Sequence, residues 1–495
     1  MTGERRLDRA GNRTPADAEP PPLQAGWVAS AMGGALVAGD VSRELADVSI
    51  DTRTLAPGDL FVAIRGERFD GAQFAAAAIG VGAAGVVVPR GWMSSAGANA
   101  MASRARSAAE QVAVIEVDDT TAALQALAHA IRRGSGTKVV AITGSAGKTT
   151  TKEATSELLS TRYRVIRNRG NFNNHIGLPL SLMELRRRPE IAVVELGMNH
   201  AGEISTLVRV AEPEVRVWTN VGDAHVGFFA SVEAIADAKA EIFEGARASD
   251  LLVANADDTR IAARMSSFAG RITTFGIESD ADVRAVSIVD RGIDGTSARV
   301  TTPRGAVQLT TSLVGRGNLS NVLAAAAVAL EFDVPIDDVA AAAARLRPAS
   351  HRGEVVRLSD GVTVIDDSYN ANPTATKAAL DVLARSGASR RIAVIGEMLE
   401  LGDQSAELHA MVGRAAARAG VDLLLTVGSK PAGALADAAV AAGMGASQVR
   451  HVATSDEAAD AAAAFVRAGD LVLVKGSRGI RTDRVVDRLK TAWGG

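Results

Sequence analysis

The feature that most constrains this chain is a glycine loop between a buried strand and a helix. The β-branched run Lys138–Thr143 predicts a strand, which leads through the loop 144–147 to Lys148 and Thr149 at a helix start. Backbone N–H groups in such a turn can hold phosphate, the lysine adds positive charge, and the threonine can hold Mg²⁺. The loop departs from the common G-x-x-x-x-G-K-[ST] pattern, because Ile142 stands where its first glycine would be. We interpret it as a phosphate-binding loop in an α/β domain.

Length and composition favour several soluble domains and exclude some kinds of chemistry. The chain has 495 residues, which predicts about three domains. Hydrophobic residues make up 47%, and the formal net charge of −3 argues against nucleic-acid binding through a globally basic surface. The chain contains no cysteine, so disulfides, thiolate metal sites and cysteine nucleophiles are excluded.

Strand-like and helix-like segments alternate along three blocks, which predicts parallel sheets covered on both faces. The predicted blocks are a disordered leader (residues 1–24), an N-terminal domain (25–134), a central domain (135–347) and a C-terminal domain (348–495). A hinge is predicted at 134–136. The longest apolar run, Phe74–Val88, has 15 residues, too few to span a bilayer. We therefore expect a cytoplasmic protein without stable membrane insertion.

Two polar residues at predicted strand ends in the central block are candidate metal ligands. Glu195 ends the strand that begins at Ile191, and His225 follows the strand that ends at Trp218. Side chains at the carboxyl ends of parallel strands face the ligand-binding edge of a sheet. Each residue could also be an ordinary surface or structural side chain, but the nearby phosphate loop favours the metal interpretation.

Lys239 lies on the apolar stripe of a predicted helix that Ser231 can cap. It follows Ile235 by four residues and precedes Ile242 by three, so all three side chains share one face. Burial there would lower the pKa of the amine, although a lysine can also extend its amine to water. A neutral amine could react with carbon dioxide and give a carbamate, which resembles a carboxylate ligand.

Further polar clusters are candidate ligand-binding residues. The loop Asn168–Asn174 combines amides with an arginine, and either substrate recognition or a structural turn explains it. In the third block, Asp367 could accept hydrogen bonds from ribose, and Arg352 could reach phosphates. Lys475–Arg478 follows another strand at the ligand-facing edge.

Together these motifs resemble the Mur ligase family, which comprises ATP-dependent amide-forming enzymes of peptidoglycan synthesis. The similarity runs from about residue 25 to the end and rests on the segments Ser49–Arg53, Pro57–Ala63, Thr143–Thr150, Gly170–Asn174, Glu195–Asn199, Tyr369–Pro373, Gly396–Gly402 and Lys475–Arg478. The resemblance implies an N-terminal UDP-binding domain, a central parallel-sheet P-loop ATPase domain and a Rossmann-like C-terminal domain. Two departures are Gly317, where histidine is usual, which puts an adenine contact in doubt, and Thr374–Thr376.

The resemblance also implies roles for individual residues, with ATP and Mg²⁺ as cofactors. Its implied catalytic residues are Lys148, His225, Lys239 and Arg352. Its implied nucleotide-binding residues are Thr143, Gly144, Ser145, Ala146, Gly147, Lys148, Thr149, Thr150, Asn255, Asn321, Arg352 and Asp367. One Mg²⁺ would be held by Thr149 and Glu195, and the second by His225 with a carbamylated Lys239. Its implied substrate-binding residues are Ser49, Asp51, Arg53, Asn173, Asn174, Tyr369, Asn370 and Asn372.

Within the family, Tyr369–Pro373 and Gly396–Gly402 favour the member that joins D-alanyl-D-alanine to UDP-N-acetylmuramoyl-tripeptide. That reaction proceeds through an acyl phosphate and gives UDP-N-acetylmuramoyl-pentapeptide, ADP and phosphate. The alternatives are a member that adds a diamino acid to the UDP-muramoyl-dipeptide, a folylpolyglutamate synthase, a phosphate-loop switch or motor, and a nonhydrolysing nucleotide-binding module. We expect a monomer with no nucleic-acid partner.

Overall fold

The structure is a computed structural model that describes residues 23–66, 68–94, 112–168 and 170–494. Its contacts divide the chain into a first unit, residues 1–141, 163–198 and 202–214, and a second unit, residues 142–162, 199–201 and 215–495. The strand Lys138–Thr143 contributes residues to both units. Most of the predicted leader lies outside the described residues, but Leu23–Gln24 forms a strand that pairs antiparallel with Glu44–Leu45.

The N-terminal part of the first unit is built around a mixed sheet. In the described residues this sheet has the strand order Ala35–Ala38, Ala113–Val117, Gly85–Pro89, Leu60–Val62 and Val48–Ser49. All neighbouring strands are parallel except the first pair, which is antiparallel. The accompanying helices are Ala25–Ala31, the 3-10 turn Gly71–Phe74, Ala75–Gly80 and Thr120–Ser135. The apolar run 74–88 is thus divided between a helix and a strand, as its length predicts.

The helix Thr120–Ser135 begins at Asp119, whose carboxylate accepts hydrogen bonds from the N–H groups of Thr121 and Ala122. It includes Gly134 and Ser135, two residues of the predicted hinge, and ends at Gly136, whose φ is 70°. The helix continues into the predicted hinge because the buried guanidinium of Arg132 donates to Ala211 O at 2.8 Å and to Glu214 Oε1 at 2.9 Å. These tertiary contacts stabilise the last turn and could not be read from local sequence.

The rest of the first unit contains a parallel strand pair and short helices. Val165–Arg167 pairs with Ile191–Glu195 in parallel register. The surrounding helices are Gly177–Leu182, the 3-10 segment Met183–Arg187, and Glu203–Ala211.

The central part of the second unit combines parallel strands with an antiparallel edge. Its strands follow the order Gly305–Thr311, Thr296–Thr302, Val283–Asp290, Arg271–Gly276, Leu251–Asn255 and Val215–Trp218. The last four strands of this order are parallel, whereas the first three form an antiparallel meander. The prediction of strands separated by helices is wrong for this meander, because its connections are too short to contain a crossover helix.

Helices pack beside these central strands, and two short 3-10 segments follow strand ends. The helices are Lys148–Leu159, Val232–Ala240, Thr259–Met265, Arg316–Glu331 and Ile336–Arg345, with 3-10 turns at Val226–Phe228, Glu241–Phe243 and Gly292–Asp294. The core here includes Trp218, Leu252 and Ala254, which are fully buried.

The C-terminal part of the second unit is a separate α/β layer. Within the described residues its sheet has the order Glu354–Arg357, Thr363–Asp367, Leu471–Lys475, Arg391–Gly396, Leu423–Val427 and Val449–Val452. Only the first pair is antiparallel in this described sheet. The helices are Pro373–Arg385, Ser405–Arg418, Lys430–Ala441, Ser455–Phe465 and Asp483–Trp493, with 3-10 turns at Ser359–Gly361, Gly402–Gln404, Ala446–Gln448 and Arg478–Ile480.

The predicted α/β class is confirmed, with one refinement: the N-terminal, central and C-terminal sheets of the described residues each have antiparallel pairing at one edge. The predicted strand Lys138–Thr143 has the observed bounds, and the predicted strand ends at Glu195 and Trp218 are also observed. None of the described helices combines the length and apolar character that crossing a membrane requires.

Candidate active site

The predicted phosphate loop forms the strand–turn–helix arrangement that its sequence indicates. Two glycines permit the tight turn, Gly144 with a φ of 150° and Gly147 with a φ of 80°. A Cβ atom at position 144 would collide with the Thr219 hydroxyl, and one at position 147 would collide with the Asn321 amide. Both glycines are therefore required by close approach as well as by backbone conformation.

The end of the neighbouring strand holds the loop in place. Thr219 Oγ1 donates to Ala146 O at 2.8 Å, and the Asn220 amide accepts from Ala146 N at 2.8 Å and donates to Ala146 O at 2.9 Å. Ser145 Oγ accepts from Gly222 N at 2.9 Å. The sequence reasoning assigned no role to Thr219 or Asn220, although both directly follow a predicted strand and could have been found from that position.

Lys148 lies at the first position of the helix Lys148–Leu159. Its Nζ donates to Gly144 O at 2.7 Å, so the amine reaches back over the loop. No side chain caps this helix N-terminus, an arrangement that suits a bound phosphate group. A short rotation of the lysine side chain would bring its charge to a phosphate held in the loop.

The two predicted nucleotide-binding asparagines both contact the surroundings of the phosphate loop. Asn255 is buried, and its amide donates to Thr219 O at 2.8 Å. Asn321 Oδ1 accepts from Thr151 Oγ1 at 3.3 Å, within the helix that follows the loop. Gly317 has open space where a Cβ would lie, so a larger residue would meet no neighbouring atom there. The structure therefore does not explain why glycine stands where the family usually has histidine.

Lys239 is buried on the predicted stripe of the helix Val232–Ala240. Ser231 caps this helix, because its Oγ accepts from Ala234 N at 3.1 Å. Lys239 is 1% exposed, and Ile235 on the same face is fully buried. Burial holds the pKa of the Lys239 amine well below its usual value, and the positive charge of Lys148 lowers it further. The structure therefore favours the buried position over the alternative in which the amine extends to water.

His225 approaches a carboxylate that the sequence reasoning missed. Its Nδ1 lies 2.6 Å from Oε2 of Glu400. This imidazole lowers the pKa of Glu400, while partial burial opposes the shift. Glu400 belongs to the segment Gly396–Gly402. This segment contributes to the family resemblance, but no role was predicted for its residues.

Glu195 lies in the first unit at the end of the strand Ile191–Glu195 and is almost fully buried. Its Oε1 accepts from Asn173 Nδ2 at 2.8 Å, and its backbone N–H donates to Asn168 Oδ1 at 3.0 Å. Asn174 Oδ1 instead accepts from the N–H of Gly177, the first residue of a helix, at 2.8 Å. The asparagine loop thus supports the carboxylate, a connection that the sequence reasoning did not predict.

The predicted substrate residues of the N-terminal block form a compact turn. Arg53 donates to both Asp51 oxygens, the shortest contact being 2.6 Å from Nη2 to Oδ2. These hydrogen bonds lower the pKa of Asp51 to about 2. Ser49 Oγ donates to Asp51 O at 3.1 Å, so all three residues lie together.

The C-terminal block places its predicted residues around one tyrosine and one buried lysine. The Arg352 guanidinium lies 4.2 Å from the centre of the Tyr369 ring. Lys475 Nζ donates to Asp367 Oδ2 at 2.6 Å and to Asn370 O at 3.1 Å.

Asn372 in the same segment has a structural contact. Its Oδ1 accepts from Ala375 N at 2.8 Å and so caps the helix Pro373–Arg385.

Comparisons with known proteins give the class to which this fold and site belong. Three family models match: "Mur ligase family, catalytic domain" over residues 44–132, "Mur ligase middle domain" over 142–329, and "Mur ligase, glutamate ligase domain" over 351–478. The chain belongs to the Mur ligase family. It is therefore an ATP-dependent ligase that forms a carbon–nitrogen bond.

Its relatives and structural neighbours are more specific. The UDP-N-acetylmuramoyl-tripeptide–D-alanyl-D-alanine ligase of Bacillus subtilis (strain 168) is 34% identical over 89% of this chain and 92% of its own length. The enzyme of the same name from Mycobacterium tuberculosis (strain H37Rv) is 36% identical over 94% and 97%.

Solved structures agree with these relatives. MurF from Acinetobacter baumannii matches with a TM-score of 0.84 and 30% identity, over 96% of this chain and all of its own. MurF from Thermotoga maritima, in complex with ADP, matches with a TM-score of 0.77 and 27% identity, over 90% and 97%. A 2,6-diaminopimelate-adding ligase shares the fold at 18% identity, with a TM-score of 0.53 over 95% and 99%.

Proposed function

We propose that this chain joins D-alanyl-D-alanine to UDP-N-acetylmuramoyl-tripeptide with consumption of ATP, and releases UDP-N-acetylmuramoyl-pentapeptide, ADP and phosphate. Near-full-length similarity to ligases of that name supports these substrates. The observation that carries the mechanism is the phosphate loop, whose Lys148 lies close enough to the buried Lys239 to lower its pKa. Such an arrangement combines phosphate binding with a lysine whose lowered pKa favours its neutral form.

The chemistry begins with two anions that must approach each other. The terminal carboxylate of the tripeptide attacks the γ-phosphate of ATP and forms an acyl phosphate, and ADP leaves. The amine of D-alanyl-D-alanine then attacks the acyl carbonyl, and phosphate leaves as the amide forms. Lys148 neutralises phosphate charge after it leaves Gly144 O, and Arg352 supplies a second guanidinium charge from beside Tyr369.

Mg²⁺ would supply further neutralisation of phosphate charge when bound, and hydroxyl and carboxylate oxygens such as those of Thr149 and Glu195 are ligands of the kind it prefers. We assign Thr149 and Glu195 to one ion, and His225 with Lys239 to a second. The lowered pKa of Lys239 provides the neutral amine that reaction with carbon dioxide requires. Attack of that neutral amine on carbon dioxide forms an N–C bond, releases one proton, and leaves a carboxylate-like anion in place of the neutral amine. In the described residues no three His, Asp or Glu side chains converge as a metal site, so a carbamate would supply a donor that is otherwise absent.

The remaining predicted residues fit around these groups. Asn255 and Asn321 support the loop that would hold the nucleotide phosphates, and Asp367 can accept from ribose through the oxygen that Lys475 does not bind. The turn formed by Ser49, Asp51 and Arg53 is assigned to the uridine nucleotide, and the asparagine and Tyr369 segments to the peptide substrates. We retain the domains 25–134, 135–347 and 348–495, and propose a cytoplasmic monomer.

The decisive experiment measures phosphate release from ATP with Mg²⁺, D-alanyl-D-alanine and either the UDP-muramoyl-tripeptide or the dipeptide. We expect turnover with the tripeptide and D-alanyl-D-alanine only. Turnover with the dipeptide and a free diamino acid would replace this proposal with the diamino-acid-adding activity. Phosphate release that needs no acceptor would instead indicate a nucleotide-driven switch or motor.

Lys148→Ala tests the role of the phosphate loop. Loss of its local charge should lower turnover by about 10²–10³-fold and leave the melting temperature close to that of the wild type. Lys138→Ala is the matched control, because Lys138 is an exposed lysine at the opposite end of the preceding strand. Near-normal ligation by Lys148→Ala would contradict the assignment.

A further inference from the structure

Hydrogen bonds from other elements hold the loop 396–402 in a defined position. Met398 N donates to Nε2 of the fully buried His409 at 2.9 Å. The next residue, Leu399, donates through its N–H to Ser477 Oγ at 2.9 Å. Two successive backbone groups are therefore bound by side chains from other elements, which defines the position of the following residue, Glu400.

This loop packs against the loop that carries His225. Gly227 N donates to Glu400 O at 3.0 Å. A Cβ on Gly227 would lie 2.5 Å from Gly402 N, so glycine is required for the two backbones to come this close. His225 and Glu400 both have left-handed backbone conformations, with φ values of 64° and 66°. Such conformations cost energy for residues other than glycine and persist where the surrounding structure imposes them.

A second contact joins the same two parts of the chain. Thr374 Oγ1 donates to Asp223 Oδ2 at 3.1 Å. Gly222, the residue before Asp223, donates through its N–H to Ser145 Oγ in the phosphate loop. The His225 loop therefore lies between the phosphate loop and two segments of the C-terminal block.

The side chains of His225 and Glu400 approach each other through Nδ1 and the carboxylate. Nδ1 of His225 is buried, and among the described residues no hydrogen-bond acceptor of ordinary direction faces it. Glu400 Oε2, at 2.6 Å, is the acceptor in reach, and a small rotation of either side chain would align it. When Nδ1 carries the proton and donates to a carboxylate, the lone pair of a neutral imidazole is on Nε2 and can bind a metal.

We propose that Glu400 is a positioning residue for His225, which orients the imidazole and selects the tautomer with a free Nε2 lone pair. The proposal rests on the assignment of His225 as an Mg²⁺ ligand in the proposed function. Its consequence is that a metal-ready His225 exists only while the loop 396–402 is docked. Binding of the metal and docking of the C-terminal block are then coupled, and each favours the other.

The test measures Mn²⁺ binding to the full chain by electron paramagnetic resonance, with a nonhydrolysable ATP analogue present. Glu400→Ala should weaken Mn²⁺ binding by about 10–100-fold, the usual effect of removing the partner of a metal-binding histidine. Glu400→Gln should lie between Glu400→Ala and the wild type, because its amide oxygen can still accept from Nδ1. Thr374→Val is the matched control, because it removes a different hydrogen bond between the His225 loop and the C-terminal block and leaves His225 and Glu400 intact.

A second readout follows the tautomer of His225 directly. Nitrogen-15 spectra of histidine-labelled protein at one fixed pH should show the Nδ1–H form in the wild type and the Nε2–H form in Glu400→Ala. His225→Gln assigns the signal. A purely structural role for Glu400 would leave this tautomer unchanged.

The outcomes separate the two proposals. If His225→Ala binds Mn²⁺ as the wild type does, the metal role in the proposed function is wrong. If His225→Ala loses Mn²⁺ binding while both Glu400 variants retain it and keep their melting temperatures, the positioning role is wrong. A loss in Thr374→Val as large as that in Glu400→Ala would also overturn it, since docking alone would then account for the effect.

Discussion

Two buried lysines in the second unit show how environment decides what an amine can do. Lys239 and Lys475 are 1% and 3% exposed. Lys475 donates to the Asp367 carboxylate and to a backbone carbonyl, so its charge is compensated. For Lys239 the described residues provide no carboxylate within ion-pair distance, and burial together with the charge of Lys148 lowers its pKa. Similar burial thus gives one lysine with a carboxylate partner and one whose lowered pKa favours the neutral amine.

The difference also separates stability from function. A buried charge with a partner of opposite charge contributes to the fold and is costly to disrupt. A buried amine without such a partner lowers the stability of the folded state. Lys239 therefore belongs with groups whose environment is arranged for chemistry, and Lys475 with groups that hold two strand ends together. Three changes can break or sharpen this contrast.

The largest expected effect is that of Lys239→Met on ligation. Removal of the amine and its carbamate should lower turnover by about 10²–10³-fold, because a charge-stabilising group of the site is lost. The folded protein should nevertheless become more stable. Since the lowered pKa makes the folded state bind fewer protons than the unfolded state, the wild-type lysine costs stability below its ordinary pKa, and the cost grows as pH falls. Initial rates and melting temperatures at two pH values check both parts.

Carbon-13 spectra supply the control for Lys239→Met. With labelled bicarbonate, the wild type and a Lys475 variant should show a carbamate signal that Lys239→Met lacks. Short carboxylic acids should partly restore ligation by Lys239→Ala, because they can occupy the vacated space. An active Lys239→Met without such a signal in the wild type would contradict the assignment.

The second prediction concerns Lys475→Met, which should destabilise the protein by about 1–3 kcal/mol. It leaves the Asp367 carboxylate without its charged donor, and an unsatisfied polar group costs about that amount. Unfolding in urea measures the change. The double variant Lys475→Met/Asp367→Asn should recover part of the loss, and no recovery would mean that the Lys475–Asp367 ion pair contributes little.

The smallest effect is expected at His409, a buried imidazole with hydrogen bonds on both nitrogens. Burial lowers the pKa of His409, and its Nε2 must remain unprotonated to accept from Met398 N. The folded protein therefore loses stability as pH falls below about 6.5, the ordinary histidine pKa, until His409 itself is protonated. His409→Gln, which can accept but does not titrate, should reduce that loss by at most about 1.4 kcal/mol per pH unit.

Thermal melting between pH 7.5 and 5 compares the wild type with His409→Gln. If the melting temperatures of the two proteins fall in parallel as the pH is lowered, His409 does not cause the loss of stability. The contrast with Lys239 is then sharpened, because both groups have lowered pKa values, but His409 has hydrogen bonds on both nitrogens whereas Lys239 has no carboxylate partner among the described residues.

Much of the local structure could be predicted because its causes lie within a few residues. The β-branched run Lys138–Thr143 and the glycine loop after it have the predicted forms, and Ser231 caps the helix that buries Lys239. The antiparallel meander over 283–311 was not predicted, because strand direction depends on which neighbours the chain finds after its turns. The Asn173–Glu195 hydrogen bond was missed for a related reason, since the two residues are 22 positions apart.

The sequence alone determined that this chain has a phosphate loop, a lysine on an apolar helix face and the motifs of a Mur ligase. Those features depend on residue type and short spacing, which local geometry converts directly into structure. Only the tertiary structure decided that Glu400 would meet His225, that Lys475 would have a carboxylate partner, and that Lys239 would have none among the described residues. The reason is electrostatic: the state of a buried charge depends on the atoms within a few ångströms of it, and folding brings most of those atoms from distant parts of the chain.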